Sequence, residues 1–228
     1  MVALGTLMIM LLVLPLLAAC GDLWSSPPPP ATISMAASDW SFTTGTMLLP
    51  HPTAASPGWS FDFPIYDHVP PTDCVASGCP RVGYVTTPTS INLTGKTLSM
   101  EFQVDVTGEP VFQYAPNPDN TCGGAATASL FIQRLGNTGH GEFDRWFSKS
   151  SIILANGTGT LSIELSPDKW ISVYGRDGND ATAASGWQTV LTNVGSVGVV
   201  FGGGCLADHG ANITGGTATF LMIQFEAH

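Results

Sequence analysis

The segment Thr97–Thr107 alternates between polar and apolar side chains at every position. A repeat of two residues places all the apolar side chains on one face of an extended strand, whereas a helix would need a repeat of 3.6 residues. Leu161, Ile163 and Leu165 follow the same rule. Both segments are therefore predicted to be strands that are buried on one face only.

Further segments have the length and the apolar content of short strands. Turn-forming residues stand between many of them, as in Asn156-Gly157 and Gly136-Asn137. The additional predicted strands are Trp59–Tyr66, Val82–Thr87, Ser129–Leu135, Phe143–Phe147, Ser151–Ala155, Ile171–Tyr174, Val197–Phe201 and Ala218–Phe225.

A single short helix is predicted within Ala181–Asn193, where Trp187, Val190, Leu191 and Val194 would dock one face on a sheet edge. Many short strands separated by turns are typical of layered β-sheets. The sequence therefore predicts an all-β protein: a single β-sandwich or jelly roll over residues 39–228, with at most one short helix.

The beginning of the chain carries an export signal. Residues 1–19 contain no charged side chain, and they end Leu17-Ala18-Ala19-Cys20. This ending resembles the lipobox of bacterial lipoproteins, which implies a signal peptide over 1–19 and lipidation of Cys20. The expected location is the cell envelope, outside the cytoplasm, with membrane attachment through the lipid alone. An ordinary cleaved signal peptide, giving a secreted protein, and a retained anchor are the alternatives.

Residues 20–38 are predicted to be a tether. They contain the run Pro27–Pro30, and consecutive prolines favour an extended polyproline II rod. Such a rod would hold a folded domain away from a membrane surface.

Four cysteines remain if Cys20 is lipidated, and an even number in an exported chain indicates disulfides. Cys74 and Cys79 enclose a short loop that a disulfide can close, which leaves Cys122 to pair with Cys205. A metal site is the alternative, but the sequence has no C-x-x-C pair and no histidine at zinc spacing beside these residues.

The C-terminal third resembles a known class of domain. The stretch from Leu191 to Gly204, then His209-Gly210 and then Gly215–Phe220 resemble the closing strands of jelly-roll domains in secreted bacterial proteins. Galactose-binding-like and carbohydrate-binding modules are among those domains. The resemblance implies the fold and suggests a glycan or polysaccharide ligand.

The candidate ligand-binding residues lie around one polar loop. Trp170 and Trp187 flank it, with Tyr174 and Arg176 at its beginning. Flat rings bind sugars because the C–H face of a pyranose stacks on a π surface. At least one of the two tryptophans is expected to face a ligand, whereas Trp59 and Trp146, in strand-like segments, are expected to be buried.

The same loop contains a candidate calcium site. Asp177, Asn179 and Asp180 offer three oxygen-bearing side chains around Gly178, and calcium prefers several oxygen ligands. A structural calcium ion is thus a possible cofactor, with a solvated turn as the simpler interpretation. No other cofactor is indicated.

Catalysis and nucleic-acid binding have less support. Glu101, Asp105 and Glu164 lie on outward strand faces and could form a pair of glycosidase carboxylates, although such residues usually serve solubility. No G-x-S-x-G nucleophile motif is present. The net charge of −10 argues against nucleic acid, which requires clustered basic residues.

The sequence therefore favours a surface-tethered, non-catalytic glycan-binding module. A glycoside hydrolase or polysaccharide lyase on the same fold is one alternative. A structural or adhesive envelope protein that binds another protein is the other.

The cysteine assignment gives a testable prediction. Protein isolated from its native host should show no free thiol at Cys74, Cys79, Cys122 or Cys205 when it is alkylated before reduction and analysed by mass spectrometry. Closure of the long loop between Cys122 and Cys205 should stabilise the fold by about 4 kcal/mol. Alkylated thiols at these four positions would contradict the assignment.

Overall fold

Two antiparallel β-sheets packed face to face form the body of the protein. The computed structural model describes residues 33–45, 51–66, 80–114, 124–136, 141–204 and 208–228 of the chain. The prediction of an all-β sandwich is confirmed. The leader and all five cysteines lie outside the described residues, so lipidation of Cys20 and the two disulfides stay predictions.

The larger sheet contains nine of the described strands, in the order β11-β8-β7-β12-β4-β13-β6, with β1 also paired to β4 and β9 to β7. Its strands are β1 (Ser41–Gly45), β4 (Val82–Ile91), β6 (Val111–Tyr114), β7 (Ala126–Arg134), β8 (Arg145–Ser148), β9 (Ile152–Ile153), β11 (Trp170–Ser172), β12 (Val194–Gly203) and β13 (Ala211–Thr214).

The smaller sheet has the order β10-β5-β14-β3-β2. Its strands are β2 (Thr53–Ala54), β3 (Trp59–Asp62), β5 (Thr97–Thr107), β10 (Gly157–Glu164) and β14 (Thr217–Ala227). Strand β5 has the predicted bounds, and its apolar residues Leu98, Met100, Phe102 and Val104 are buried. Its other face points away from the core, as the alternation predicted.

Aromatic rings fill the space between the two sheets. Phe220 of β14 stacks on Phe61 and Phe102, with ring centroids 5.2 and 4.8 Å apart, and meets Phe201 of the larger sheet edge-on at 5.4 Å. Aromatic pairs of these kinds contribute about 0.5–1.5 kcal/mol each beyond the burial of their area. The core therefore holds the sheets together through a small number of large contacts.

The helix fastens one edge of the larger sheet. The helix α1 spans Ala184–Thr192, within the predicted range, and its Trp187 packs against Trp146 of β8 and Trp170 of β11. The ring centroids are 5.1 and 5.8 Å apart, and all three indoles are fully buried. The packing explains why such a short helix is stable, since a nine-residue helix is marginal on its own.

Two glycines carry the chain from one sheet to the other. Gly215 and Gly216 have φ angles of 64° and 69° and join β13 of the larger sheet to β14 of the smaller one. Side chains with a Cβ atom rarely adopt this left-handed conformation. The glycine pair therefore permits the tight connection.

The described part of the chain begins with residues that belong to the core. Ile33 and Ala37 are buried in the same cluster as Trp40. The tether over residues 20–38 and the domain boundary at residue 39 stay predictions. Among the residues that the structure describes, no helix has the length and hydropathy needed to cross a membrane.

A pair of substitutions on α1 tests this packing. Trp187→Ala should lower the free energy of unfolding by about 3–5 kcal/mol, because a large cavity would open between β8 and β11. Gln188→Ala, at the exposed neighbouring position, should change it by no more than about 0.5 kcal/mol. Urea denaturation followed by tryptophan fluorescence measures both values. Equal effects of the two substitutions would contradict the assignment of Trp187 to the core.

Candidate functional site on the outer face of the larger sheet

The larger sheet has a second apolar surface, on the face that points away from the core. Strand alternation assigns the side chains: Leu130, Ile132, Trp146 and Val199 belong to the core, and their neighbours along the strands point the other way. We call this second surface the outer face. Its central residues are Tyr84, Thr86, Ser129, Phe131, Gln133, Arg145, Phe147, Ser196, Gly198 and Val200.

The strand register arranges these residues in rows across the sheet. Phe147 pairs with Phe131 between β8 and β7, and Phe131 pairs with Gly198 of β12. In the adjacent row, Val200 pairs with Tyr84 of β4. Tyr84, Phe131 and Val200 form an apolar cluster separate from the main core, and Phe147 packs against it.

Gly198 lets β12 and β4 lie close together beneath this cluster. The rings of Tyr84 and Phe131 come together at a centroid distance of 4.7 Å and an interplanar angle of 69°. Gly198 stands between their strands, and a Cβ atom built there would lie 2.2 Å from the carbonyl oxygen of Val85. A larger residue would therefore disturb the sheet beneath the rings.

A carboxylate stands at one end of the cluster. The Tyr84 hydroxyl donates a hydrogen bond to Oδ2 of Asp208, at 3.1 Å. Burial raises the pKa of Tyr84 well above its ordinary value, and the negative charge of Asp208 raises it further. The positive charge of Arg145 acts in the opposite direction. The phenol is therefore a fixed hydrogen-bond donor at neutral pH and does not serve as a general base.

A cation lies on the same face. Arg145 precedes Phe147 by two residues on β8, so the two side chains share the outer face, and Arg145 pairs across the strands with Gln133 of β7. Ser196 of β12 extends the same row. The backbone of Arg145 is held on its other side, where its carbonyl accepts a hydrogen bond from the Val173 amide at 3.1 Å.

The outer face thus has a buried floor and a partly exposed rim. Tyr84, Phe131 and Val200 are at most 4% exposed, whereas Phe147, Gln133, Arg145, Ser196 and Asp208 are half-buried. A ligand can reach the second set, which combines one aromatic ring with an amide, a guanidinium, a hydroxyl and a carboxylate. These are the groups that hold the rings and hydroxyls of sugars.

The expectation that Trp170 or Trp187 faces a ligand is wrong. Both indoles have no exposed area, because α1 closes over β8 and β11 at that edge of the sandwich. The Trp170 indole N–H is used internally and donates to the Glu164 carbonyl at 2.9 Å. The predicted burial of Trp59 and Trp146 is confirmed.

The other two predicted ligand-binding residues lie on the surface. Tyr174 is 56% exposed. Arg176 lies within 3.9 Å of carboxylate oxygens of both Glu142 and Asp180, and its backbone closes a short turn with Ser172. These two residues stay predictions for a ligand-binding role, at the edge of the sheet next to β11.

Two of the three proposed calcium ligands, Asp177 and Asp180, interact with other residues. Asp177 forms an ion pair of 2.9 Å with Lys149, and Asn179 is exposed. Asp180 accepts hydrogen bonds from the backbone and side chain of Thr182, at 2.8 and 2.7 Å, and these bonds lower its pKa. Within the described ranges, no three His, Cys, Asp or Glu side chains come together as metal ligands. A structural calcium ion stays a prediction that this turn does not support.

The outward carboxylates of the smaller sheet are spaced several residues apart along their strands. Glu101 and Asp105 are four residues apart on β5, which corresponds to about 13 Å at 3.3 Å per residue. Glu164 pairs with Thr97, another four residues from Glu101 in the opposite direction. A pair of glycosidase carboxylates lies about 5–10 Å apart. Catalysis by these carboxylates stays a prediction.

The sequence contained a signal for the outer face that the alternation rule does not detect. In Ser129–Leu135, apolar residues occupy both parities of the strand, Leu130 and Ile132 on one and Phe131 on the other. A strand that is apolar on both sides is buried on both sides. Tyr84 and Phe147 become recognisable only when the register brings them beside Phe131.

Comparisons of the sequence with protein-family models and with curated proteins found no match.

Replacement of Tyr84 by phenylalanine tests the interaction with Asp208. Below about pH 9 the variant should be about 1–3 kcal/mol less stable, because a buried bond to a carboxylate is lost. The folded state holds the phenol proton more tightly than the unfolded chain, whose tyrosine pKa is near 10. The wild type should therefore lose up to about 1.4 kcal/mol per pH unit above about pH 10 relative to Tyr84→Phe. Urea denaturation across this pH range measures the difference, and a constant difference would contradict the raised pKa.

Proposed function

We propose that this protein is a non-catalytic glycan-binding module and that the outer face of its larger sheet is the binding surface. The observation that carries the proposal is the half-buried ring of Phe147 beside Arg145 and Gln133, above a buried aromatic floor. A sugar ring can lie on Phe147 while the neighbouring polar groups bind its hydroxyls.

The construction of the surface favours glycan binding over adhesion to another protein. Its groups are carried by the adjacent strands β8, β7, β12 and β4, and hydrogen-bonded strands hold side chains more rigidly than loops do. A rigid surface loses less conformational entropy when a ligand binds. Phe147 packs against the buried floor of Tyr84, Phe131 and Val200, and this contact restricts the motion of its ring.

The proposal includes a location in the cell envelope, outside the cytoplasm. The leader that ends at Cys20 and the proline run after it support export and attachment to the cell envelope through a lipid. In that position the tether would present the sandwich to polysaccharides outside the cytoplasmic membrane. Secretion without a lipid would serve the same binding function.

The prediction for this function uses the full-length protein on a glycan array. Phe147→Ala should weaken binding about tenfold or more, because the stacked sugar loses its apolar contact. Leu221→Ala is the matched control, since Leu221 is a half-buried apolar residue on the outward side of the smaller sheet. It should bind as the wild type does. Near-ultraviolet circular dichroism confirms that both variants fold.

Other outcomes of this experiment decide between sites and functions. Loss of binding in Tyr174→Ala with retention in Phe147→Ala would move the site to the loop after β11. New reducing ends in a bound polysaccharide would indicate an enzyme. No glycan signal from the wild type would overturn the proposal and favour a protein partner.

A further inference from the structure

Arg145 differs from most other described cations in its electrostatic environment. The paired cations are Arg134 with Asp144, Lys149 with Asp177, Lys169 with Asp168, and Arg176 with Glu142 and Asp180. No described carboxylate lies within ion-pair distance of Arg145, although the chain has 17 acidic residues and only 7 basic ones. A counter-ion would have been available in this composition, yet the described part of the fold supplies none here.

The guanidinium is also incompletely hydrogen-bonded. Its Nε atom is buried and has no hydrogen-bond partner. A buried donor without a partner costs free energy, and the cost is larger when the group is charged. The protein encloses this atom, so a ligand acceptor would meet the terminal nitrogens of the guanidinium.

The neighbours of Arg145 define which acceptor fits. Phe147 lies two residues further along β8 and offers a ring face, and Gln133 lies directly opposite on β7 with its amide. A carboxylate matches the fork of a guanidinium with two parallel hydrogen bonds. A sugar that carries a carboxylate on its ring could therefore use Arg145, Phe147 and Gln133 at once.

Asp208 is the described negative charge nearest to this part of the outer face. It accepts the hydrogen bond of the Tyr84 hydroxyl, on which the positive charge of Arg145 also acts, and it makes no ion pair with Arg145. A ligand carboxylate is attracted by Arg145 and repelled by Asp208. The net charge of −10 opposes anionic ligands at long range, but salt screens this repulsion beyond about 8 Å at physiological ionic strength.

We propose that the outer face binds acidic polysaccharides through the carboxylate of a uronic acid residue, with Arg145 as the specificity-determining residue. This inference rests on the proposed glycan-binding function and names its ligand class.

The test compares polygalacturonate with its methyl-esterified form, which has the same sugar ring without the negative charge. The full-length wild type should bind polygalacturonate at least about tenfold more tightly than the methyl ester. Arg145→Ala should abolish this preference, and Arg145→Lys should restore only part of it, since an ammonium cannot form the fork. Lys96→Ala is the matched control for the loss of one positive charge at a distant turn, and it should retain the preference.

The outcomes separate this inference from the function on which it rests. If Phe147→Ala loses glycan binding while Arg145→Ala binds both polymers as the wild type does, the glycan site stands and the uronate assignment is wrong. Dextran sulfate binding more tightly than polygalacturonate and alginate would assign the cation to sulfate esters and overturn the carboxylate. A wild type that binds no polysaccharide, charged or neutral, would overturn both proposals.

Discussion

The central strands of the larger sheet are buried on both of their faces, and the rest of the molecule depends on this constraint. One face of β7, β12 and β4 packs on the rings of the smaller sheet around Phe220. The other face carries Phe131, Val200 and Tyr84, which exclude water from a second, smaller cluster. Exposing the apolar side chains of either face to water costs free energy. A shift of the strand register by one residue would exchange the two faces, so the packing on both sides fixes the register.

This arrangement makes the outer face both a structural and a functional feature. Gly198 lies in the strand between Tyr84 and Phe131 and lets that strand lie close to β4, and the Tyr84 hydroxyl donates a hydrogen bond to Asp208. On the opposite side, Phe147 rests on the cluster and stands beside Arg145. The buried floor therefore supports both Asp208, through Tyr84, and the strand that carries Arg145.

The sequence predicted the fold class well because the alternation of polar and apolar residues holds over the longest strand of the smaller sheet. Strand β5 faces the core on one side only, so its alternation marks both its length and its buried side chains. The strands β1, β2, β6 and β13 were missed because two to five residues carry too little periodicity. Hydrogen bonds to the neighbouring strands hold these short strands in place.

The site was harder to predict from the sequence than the fold. Trp170 and Trp187 stand next to a polar loop in the chain, which suggested exposure, but α1 folds back and buries both indoles against Trp146. The outer face draws its residues from four strands that are distant in the chain, so no local motif marks it. Arg145 and Gln133 become neighbours only through the pairing of β8 with β7.

Hydroxyl-radical footprinting of the full-length protein, with and without bound polysaccharide, tests the central claim most directly. Mass spectrometry then reports which side chains the ligand protects from oxidation. If the outer face is the binding surface, protection should concentrate on the peptide that contains Arg145 and Phe147. Protection confined to Tyr174 and its loop, or to the outward side of β5 and β14, would contradict the account.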